Sequence, residues 1–185
     1  MVSIRTYAIL KNIEIMARRR NIPIIGPDRG RILVNIIRKI KPKRILEVGT
    51  LIGYSTILMA KELGKDMEII TIEIDEDAAK IANENIHNAG IKPRIRVIAG
   101  NALKVIPKLD GEFDMVFLDA NKYEYLNYLK LVEDKLPKGA VVVADNVGTS
   151  AYSMRDYLDY VRNSGKYRNQ FISVGWDGME VSRKL

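Results

Sequence analysis

From residue 43 onward, apolar runs of strand length alternate with longer stretches whose apolar residues recur at helical spacing. Residues 44–48, 68–74, 94–99, 113–118 and 140–144 read as five short strands rich in Ile, Val and Leu. Between them, residues 54–63, 76–89, 103–109 and 122–136 carry the helical pattern, and Gly64, Gly90 and Gly139 fall where helices would stop. This alternation predicts an α/β domain, a parallel sheet covered by helices on both faces. Beyond Asp145 the pattern predicts a helix over 152–162 and two late segments, 167–174 and 179–183, that pair around 175–178 and add an antiparallel strand. Ahead of the first strand, residues 6–19 and 29–40 predict two helices, joined by a stretch containing Pro23, Gly26 and Pro27. With no internal repeat and no linker, the 185 residues read as one domain, with a helical segment over 1–40 and an α/β core over 41–185.

Composition narrows the chemistry. Hydrophobic residues make up 47% and charged residues 29%, the balance of a folded chain. The absence of cysteine excludes disulfides, thiolate metal sites and a cysteine nucleophile, so any metal must sit on oxygen ligands or on the single His87. His87 falls in the middle of a polar helical stretch, away from every strand end, and reads as a surface residue. No apolar run approaches a membrane span, and residues 1–24 are interrupted by charge too often for a signal peptide, so a cytoplasmic chain with no membrane partner is expected. The net charge of +7, with Arg18, Arg19 and Arg20 in a row, would suit RNA or an anionic substrate. A chain rich in Ile, Lys, Arg and Glu equally suits a thermophile, and no aromatic residues interleave the basic runs.

The first predicted strand runs into Glu47-Val48-Gly49-Thr50-Leu51-Ile52-Gly53-Tyr54-Ser55, a glycine-bearing turn that opens a helix. Gly49 and Gly53 let the backbone approach a ligand at the carboxyl end of the strand, where open α/β sheets bind their ligands. The spacing is E-x-G-x-x-x-G and not the G-x-G-x-x-G that sets a pyrophosphate on a helix N-terminus. The second strand ends at Thr71-Ile72-Glu73-Ile74-Asp75, which puts a carboxylate beside the glycine turn, able to accept from both hydroxyls of a ribose. An acid after a strand is also a common helix cap.

Farther on, the fourth strand delivers Phe117-Leu118-Asp119-Ala120-Asn121-Lys122 and the fifth Ala144-Asp145-Asn146. Two carboxylates and an amide, Asp119, Asp145 and Asn146, then meet at neighbouring strand ends, and hard oxygen ligands of this kind suit Mg²⁺, which keeps waters a substrate can displace. Capping would explain either Asp alone; it does not explain the pair together with Asn146 and with Lys122 three places after Asp119.

From about residue 27 to residue 184 the chain resembles the cation-dependent class I S-adenosylmethionine O-methyltransferases that include catechol and caffeoyl-CoA O-methyltransferases. The resemblance is carried by residues 47–55, 71–75, 100–107, 117–122 and 144–147 and by the pattern D-x-x-K followed by D-N. It implies a Rossmann-like fold with a mostly parallel seven-stranded sheet, one strand antiparallel, and S-adenosylmethionine and a divalent cation, Mg²⁺, as cofactors. By that resemblance Glu47, Gly49 and Ser55 surround the methionine end of S-adenosylmethionine, Ile25 and Gly26 close over it, Glu73 holds the ribose, and Ala102 and Leu103 border the adenine. Leu51, Ile74 and Asp119 complete the cofactor contacts. Many relatives have an acid in the place of Asn101.

Methyl transfer is an in-line displacement, so the protein must align a hydroxyl oxygen with the sulfonium methyl and make it more nucleophilic. Coordination to a cation lowers the pKa of the hydroxyl, and a nearby amine can take its proton. Lys122 is the candidate base, because an ordinary solvated lysine is disfavoured in the first turn of a helix.

The acceptor is less defined. The resemblance points to a small phenolic or vicinal-diol hydroxyl, and some members of the family methylate a hydroxylated uridine in tRNA. Alignment on Asp177-Gly178 places Phe171 where catechol enzymes carry a pocket carboxylate, while Tyr7, Tyr152 and Trp176 are candidates for an aromatic pocket. The short segments before the first strand and after Asp145 leave that pocket open or completed by a second subunit, and many members of the family are homodimers. A non-catalytic cofactor-binding domain is the alternative from another class, but it gives no reason for Asp119, Lys122, Asp145 and Asn146 together.

Overall fold

A computed structural model describes residues 3–185. Helices α1 (Ile4–Arg20) and α2 (Gly26–Ile40) precede an alternation of β1 (Arg44–Val48), α3 (Tyr54–Ala60), β2 (Glu68–Glu73), α4 (Glu76–Ala89), β3 (Arg94–Ala99), α5 (Ala102–Val105), β4 (Met115–Leu118), α6 (Tyr125–Val132) and β5 (Val141–Ala144). Helix α7 (Arg155–Asn163) leads to the hairpin of β6 (Tyr167–Val174) and β7 (Asp177–Lys184). The seven strands form one sheet in the order β3-β2-β1-β4-β5-β7-β6. β1 to β5 pair in parallel, and β7 runs antiparallel to both β5 and β6. The expected single antiparallel strand is therefore β7, inserted between β5 and β6 at a turn where Gly175 adopts φ 57.

Period-two alternation sends neighbouring residues of the central strands into two separate cores. Leu46, Val48, Val116 and Leu118 pack with Tyr125, Leu129 and Tyr157 of α6 and α7. Ile45, Met115, Phe117 and Val143 pack on the other face with Leu33, Ile37 and Ile57 of α2 and α3. Each such side chain, once fully buried, contributes about 1.5–3 kcal/mol.

Several elements end earlier than periodicity predicts, for local reasons. The helix expected over 103–109 is the four-residue α5 followed by a 3₁₀ turn, Ile106–Lys108, because Pro107 supplies no N–H to continue an α-helix. The helix expected over 122–136 is α6 flanked by 3₁₀ turns at Lys122–Glu124 and Glu133–Lys135. α3 stops at Ala60, and α2 begins at Gly26, since Pro27 fits a first helical turn. Among the described residues, no helix is long and apolar enough to cross a membrane.

Chain order reverses between β1 and β4: from β1 the chain first extends the sheet through β2 and β3, then returns to β4 on the other side. The crevice above that switch point, at the carboxyl ends of the strands, is where such sheets bind ligands.

Candidate active site

A cavity of about 490 Å³ opens there. Its floor is the turn after β1. Gly49 takes φ 98, and a β-carbon on it would lie 2.1 Å from the carbonyl oxygen of Asp119, so only glycine lets the ends of β1 and β4 come this close. Leu51 is left-handed at φ 50 and donates its N–H to Glu73 Oε2 at 2.7 Å, while Asp75 N–H donates to Glu73 Oε1 at 3.0 Å. Asp75, not Glu73, caps α4, accepting from the N–H groups of Asp77 and Ala78. Glu73 is thus freed from capping and turned over the glycine loop, at the cavity wall.

Pro23, Ile24 and Ile25 form a second wall, and Gly100, Asn101 and Ala102 a third. The side chain of Asn101 accepts from Leu103 N–H at 2.8 Å to start α5. Of the predicted cofactor residues, all but Gly26, Glu47 and Leu103 line the cavity. Glu47 lies sealed beneath it and accepts hydroxyl hydrogens from Ser55 and Thr56, tying β1 to the start of α3. Burial pushes its carboxyl up to about 7, against the pull of those hydroxyls.

The other end of the cavity carries Asp119, Lys122 and Asn146. Lys122 Nζ donates to Asp119 Oδ1 and to the Tyr125 hydroxyl, each at 2.8 Å. That hydroxyl donates to the Leu118 carbonyl at 2.9 Å, and its ring is locked edge-on against Tyr157 at 5.8 Å between centroids. Burial, reinforced by the charges of Asp119 and Asp145, holds the Tyr125 phenol well above its ordinary value, so it stays protonated. The amine is therefore fixed on a rigid support.

Asp145 is completely buried, and neither carboxylate oxygen has a hydrogen-bond partner. Desolvation and the nearby Asp119 charge raise its pKa, offset in part by Arg29. Asn146 is left-handed at φ 63 and donates its amide to Asp177 Oδ2 at 2.8 Å. Asp177 Oδ1 in turn accepts from the N–H groups of Gly148 and Thr149 at 3.0 and 3.1 Å. Burial disfavours the Asp177 charge, yet the Asn146 amide and the backbone N–H groups of Thr149 and Gly178 hold its pKa down to about 2. With its nitrogen on Asp177, Asn146 keeps its amide oxygen free for a ligand. Arg29 completes the group, with Nη1 at 2.9 Å from Asp177 Oδ2 and 3.2 Å from Asp145 Oδ2.

Neither Asp119 nor Asp145 caps a helix: Asn121 caps the 3₁₀ turn after β4, and Met154 precedes α7 without a side-chain cap. Among the described residues, the four non-glycine positions with positive φ divide in the same sense. Asn21 and Lys41 end helices, whereas Leu51 and Asn146 stand at the two ends of the site, where backbone strain collects around function.

The sequence reading missed Arg29, Tyr125 and Asp177 as members of this group. Tyr7, Tyr152 and Trp176 are exposed and do not line the cavity; Tyr54 and Tyr128 do. His87 is exposed on α4.

The profile of the O-methyltransferase family matches residues 2–156. Catechol O-methyltransferase B of Danio rerio is 36% identical over 171 residues, covering 85% of this chain and 64% of its own length. Catechol O-methyltransferase of Niastella koreensis is 39% identical over 127 residues, covering 66% of this chain and 58% of its own. The chain thus spans about three fifths of the length of these curated relatives. Among solved structures, the O-methyltransferase TomG from Streptomyces achromogenes, in complex with SAM, superposes with a TM-score of 0.87 at 28% identity, over 95% of this chain and 89% of that one. A putative O-methyltransferase from Klebsiella pneumoniae gives 0.85 at 28% identity, with the same coverage. With a family profile spanning most of the chain, relatives above 30% identity and a sheet that superposes along nearly its whole length, this chain belongs to the O-methyltransferase family.

Proposed function

We propose that the chain is an S-adenosylmethionine-dependent, divalent-metal-assisted O-methyltransferase acting on the hydroxyl of a small phenolic or vicinal-diol acceptor. The observation that carries this reading is one cavity with the Gly49 turn and Glu73 at one end and Asp119, Lys122 and Asn146 at the other. Catechol O-methyltransferases among the relatives support the acceptor class.

The donor set suits a hard cation. The oxygens of Asp145 are buried without a hydrogen-bond donor, a costly state for a carboxylate that a cation relieves. Among the described residues no three His, Cys, Asp or Glu side chains could hold a metal together, so the third protein ligand would be the Asn146 amide oxygen beside Asp119 and Asp145. When bound, S-adenosylmethionine supplies an electrophilic methyl group and the cation lowers the pKa of the acceptor hydroxyl.

The chain's own groups do the rest. Glu73, already aimed by Leu51 and Asp75, has lone pairs left for ribose hydroxyls. Ile24 and Ile25 give the cavity an apolar wall that would exclude water from a bound cofactor. Lys122 is held by Asp119 and Tyr125, and once it has given up its own proton the lone pair of its amine takes the proton from the acceptor oxygen.

A second acceptor, a hydroxylated uridine in tRNA, is favoured by the net charge of +7 and by Arg155 stacked on exposed Tyr152 at 4.8 Å, in the segment after Asn146. Calorimetric titration of S-adenosylmethionine, followed by methyl-transfer assays on catechols and on hydroxylated tRNA with Mg²⁺ or chelator, tests both readings. Cofactor binding with transfer that chelator abolishes is the expected result. Failure to bind S-adenosylmethionine would overturn the assignment.

A further inference from the structure

Two of the proposed cation ligands already carry a protein cation. Lys122 sits on Asp119 and has a chemical part in the proposed reaction; Arg29 sits on Asp145 and has none. Arg29 is nonetheless held from two separate parts of the chain. Its Nε donates to the Ile25 carbonyl at 3.2 Å and its Nη1 to Asp177 Oδ2 at 2.9 Å. The side chain is only 21% exposed, and that of Asp145 only 1%. Removing a cation from a carboxylate buried to that degree leaves an uncompensated charge unless another cation arrives.

The two contacts of Nη1 differ in kind. The one to Asp177 is a formed hydrogen bond, whereas the one to Asp145, at 3.2 Å, is not, since neither Asp145 oxygen has a hydrogen-bond partner. The guanidinium is anchored on Asp177 and the Ile25 carbonyl and only leans on Asp145. We propose that Arg29 is a built-in competitor of the divalent cation: guanidinium and metal take Asp145 in turn, and Asp177 and Ile25 keep the displaced side chain close. The inference rests on the metal-assisted reading above. It makes Arg29 a positioning residue that links two ends of the site, because Ile25 belongs to the wall of the cofactor cavity.

The test is calorimetric titration of Mg²⁺, checked with Mn²⁺ by electron paramagnetic resonance, on the full chain and on Arg29→Gln and Arg29→Lys. If the guanidinium holds Asp145 about nine tenths of the time, its removal leaves the carboxylate fully available and tightens cation binding roughly tenfold in Arg29→Gln. Arg29→Lys keeps the charge and the better chance of folding, and its affinity falls between the two, because a single ammonium cannot span Asp177, Asp145 and the Ile25 carbonyl together. A role confined to structural support predicts the opposite, weaker binding. Equal or weaker affinity in both variants, with the parent chain still binding the cation, overturns this inference and leaves the metal-assisted reading standing. Absence of cation binding by all three chains overturns both.

Discussion

Gly49→Ala tests the close approach on which both halves of the site depend. In the structure, the added β-carbon would lie 2.1 Å from the Asp119 carbonyl oxygen and 2.7 Å from its carbonyl carbon. Both are backbone atoms of β4's end, which cannot rotate out of the way. A β-carbon in a left-handed conformation costs about 1–2 kcal/mol, and forcing atoms into a packed site typically costs about 1–3 kcal/mol more. The expected loss is about 2–5 kcal/mol, a large part of the roughly 5–15 kcal/mol that holds a domain folded. Gly26→Ala is the control, because Gly26 has φ 74 but nothing within 4 Å of the added carbon, so only the conformational cost of about 1–2 kcal/mol remains. Urea unfolding of the two variants measures the difference, read from the midpoints at an unchanged slope. S-adenosylmethionine titration of folded Gly49→Ala should show binding lost, since Asp119 is pushed away from its place. If Gly49→Ala loses no more stability than Gly26→Ala, the β1–β4 contact is not the constraint described.

Three other outcomes are expected. Lys122→Met should lower the methyl-transfer rate by about 10²–10⁴, the range of general-base catalysis, and leave S-adenosylmethionine affinity nearly unchanged; retained turnover removes Lys122 from the chemistry. Glu73→Gln should weaken S-adenosylmethionine binding by about tenfold or more, the worth of a charge-assisted hydrogen bond, and unchanged affinity in calorimetry would exclude the ribose role. Glu47 has an ordinary value of 4.5 and is raised to about 7 on folding, so the folded chain binds more protons between those values. Its contribution is therefore fully present below 4.5 and lost as pH rises through about 7, by up to about 3 kcal/mol. Unfolding at acid and at mildly alkaline pH, in chelator, should show a shallower slope in Glu47→Gln than in the parent chain, the remainder coming from the Asp145 carboxyl, which is raised too; an identical slope in both places the titration elsewhere.

The fold was legible because each central strand is buried on both faces and so appears as a short unbroken apolar run, while turns at Gly90 and Gly139 separate it from amphipathic helices. The candidate positions Gly49, Asp119 and Asp145 were legible because each follows directly on a strand end, where sequence position and place in the sheet coincide. Boundaries failed where the reasons were finer, as at Pro107 in the middle of an expected helix. Whether Glu73 or Asp75 caps α4 could not be read from two acids lying two places apart. Arg29 and Asp177 escaped for a different reason: they are 148 positions apart, and their contact is created only when the N-terminus of α2 and the start of β7 arrive at the same strand end. Nothing local marks either one, since an Arg near a helix start and an Asp beside a turn glycine are ordinary surface choices.

The brace that Asp177 places on Asn146 has a bearing on the order in which the site matures as the chain emerges. The surroundings of the Gly49 turn and Glu73 come from the segment before α2 and from the ends of β1 to β4, all made by the time the chain reaches Asp119. Asn146, by contrast, waits for a partner 31 residues farther along, at the start of a strand that must slide between β5 and β6 before its hydrogen bonds exist. That contact can form only once β7 has been made and its loop entropy overcome. A nascent chain that has reached α6 thus already carries the elements of the proposed cofactor pocket, while the proposed acceptor end stays unbraced until the final hairpin closes.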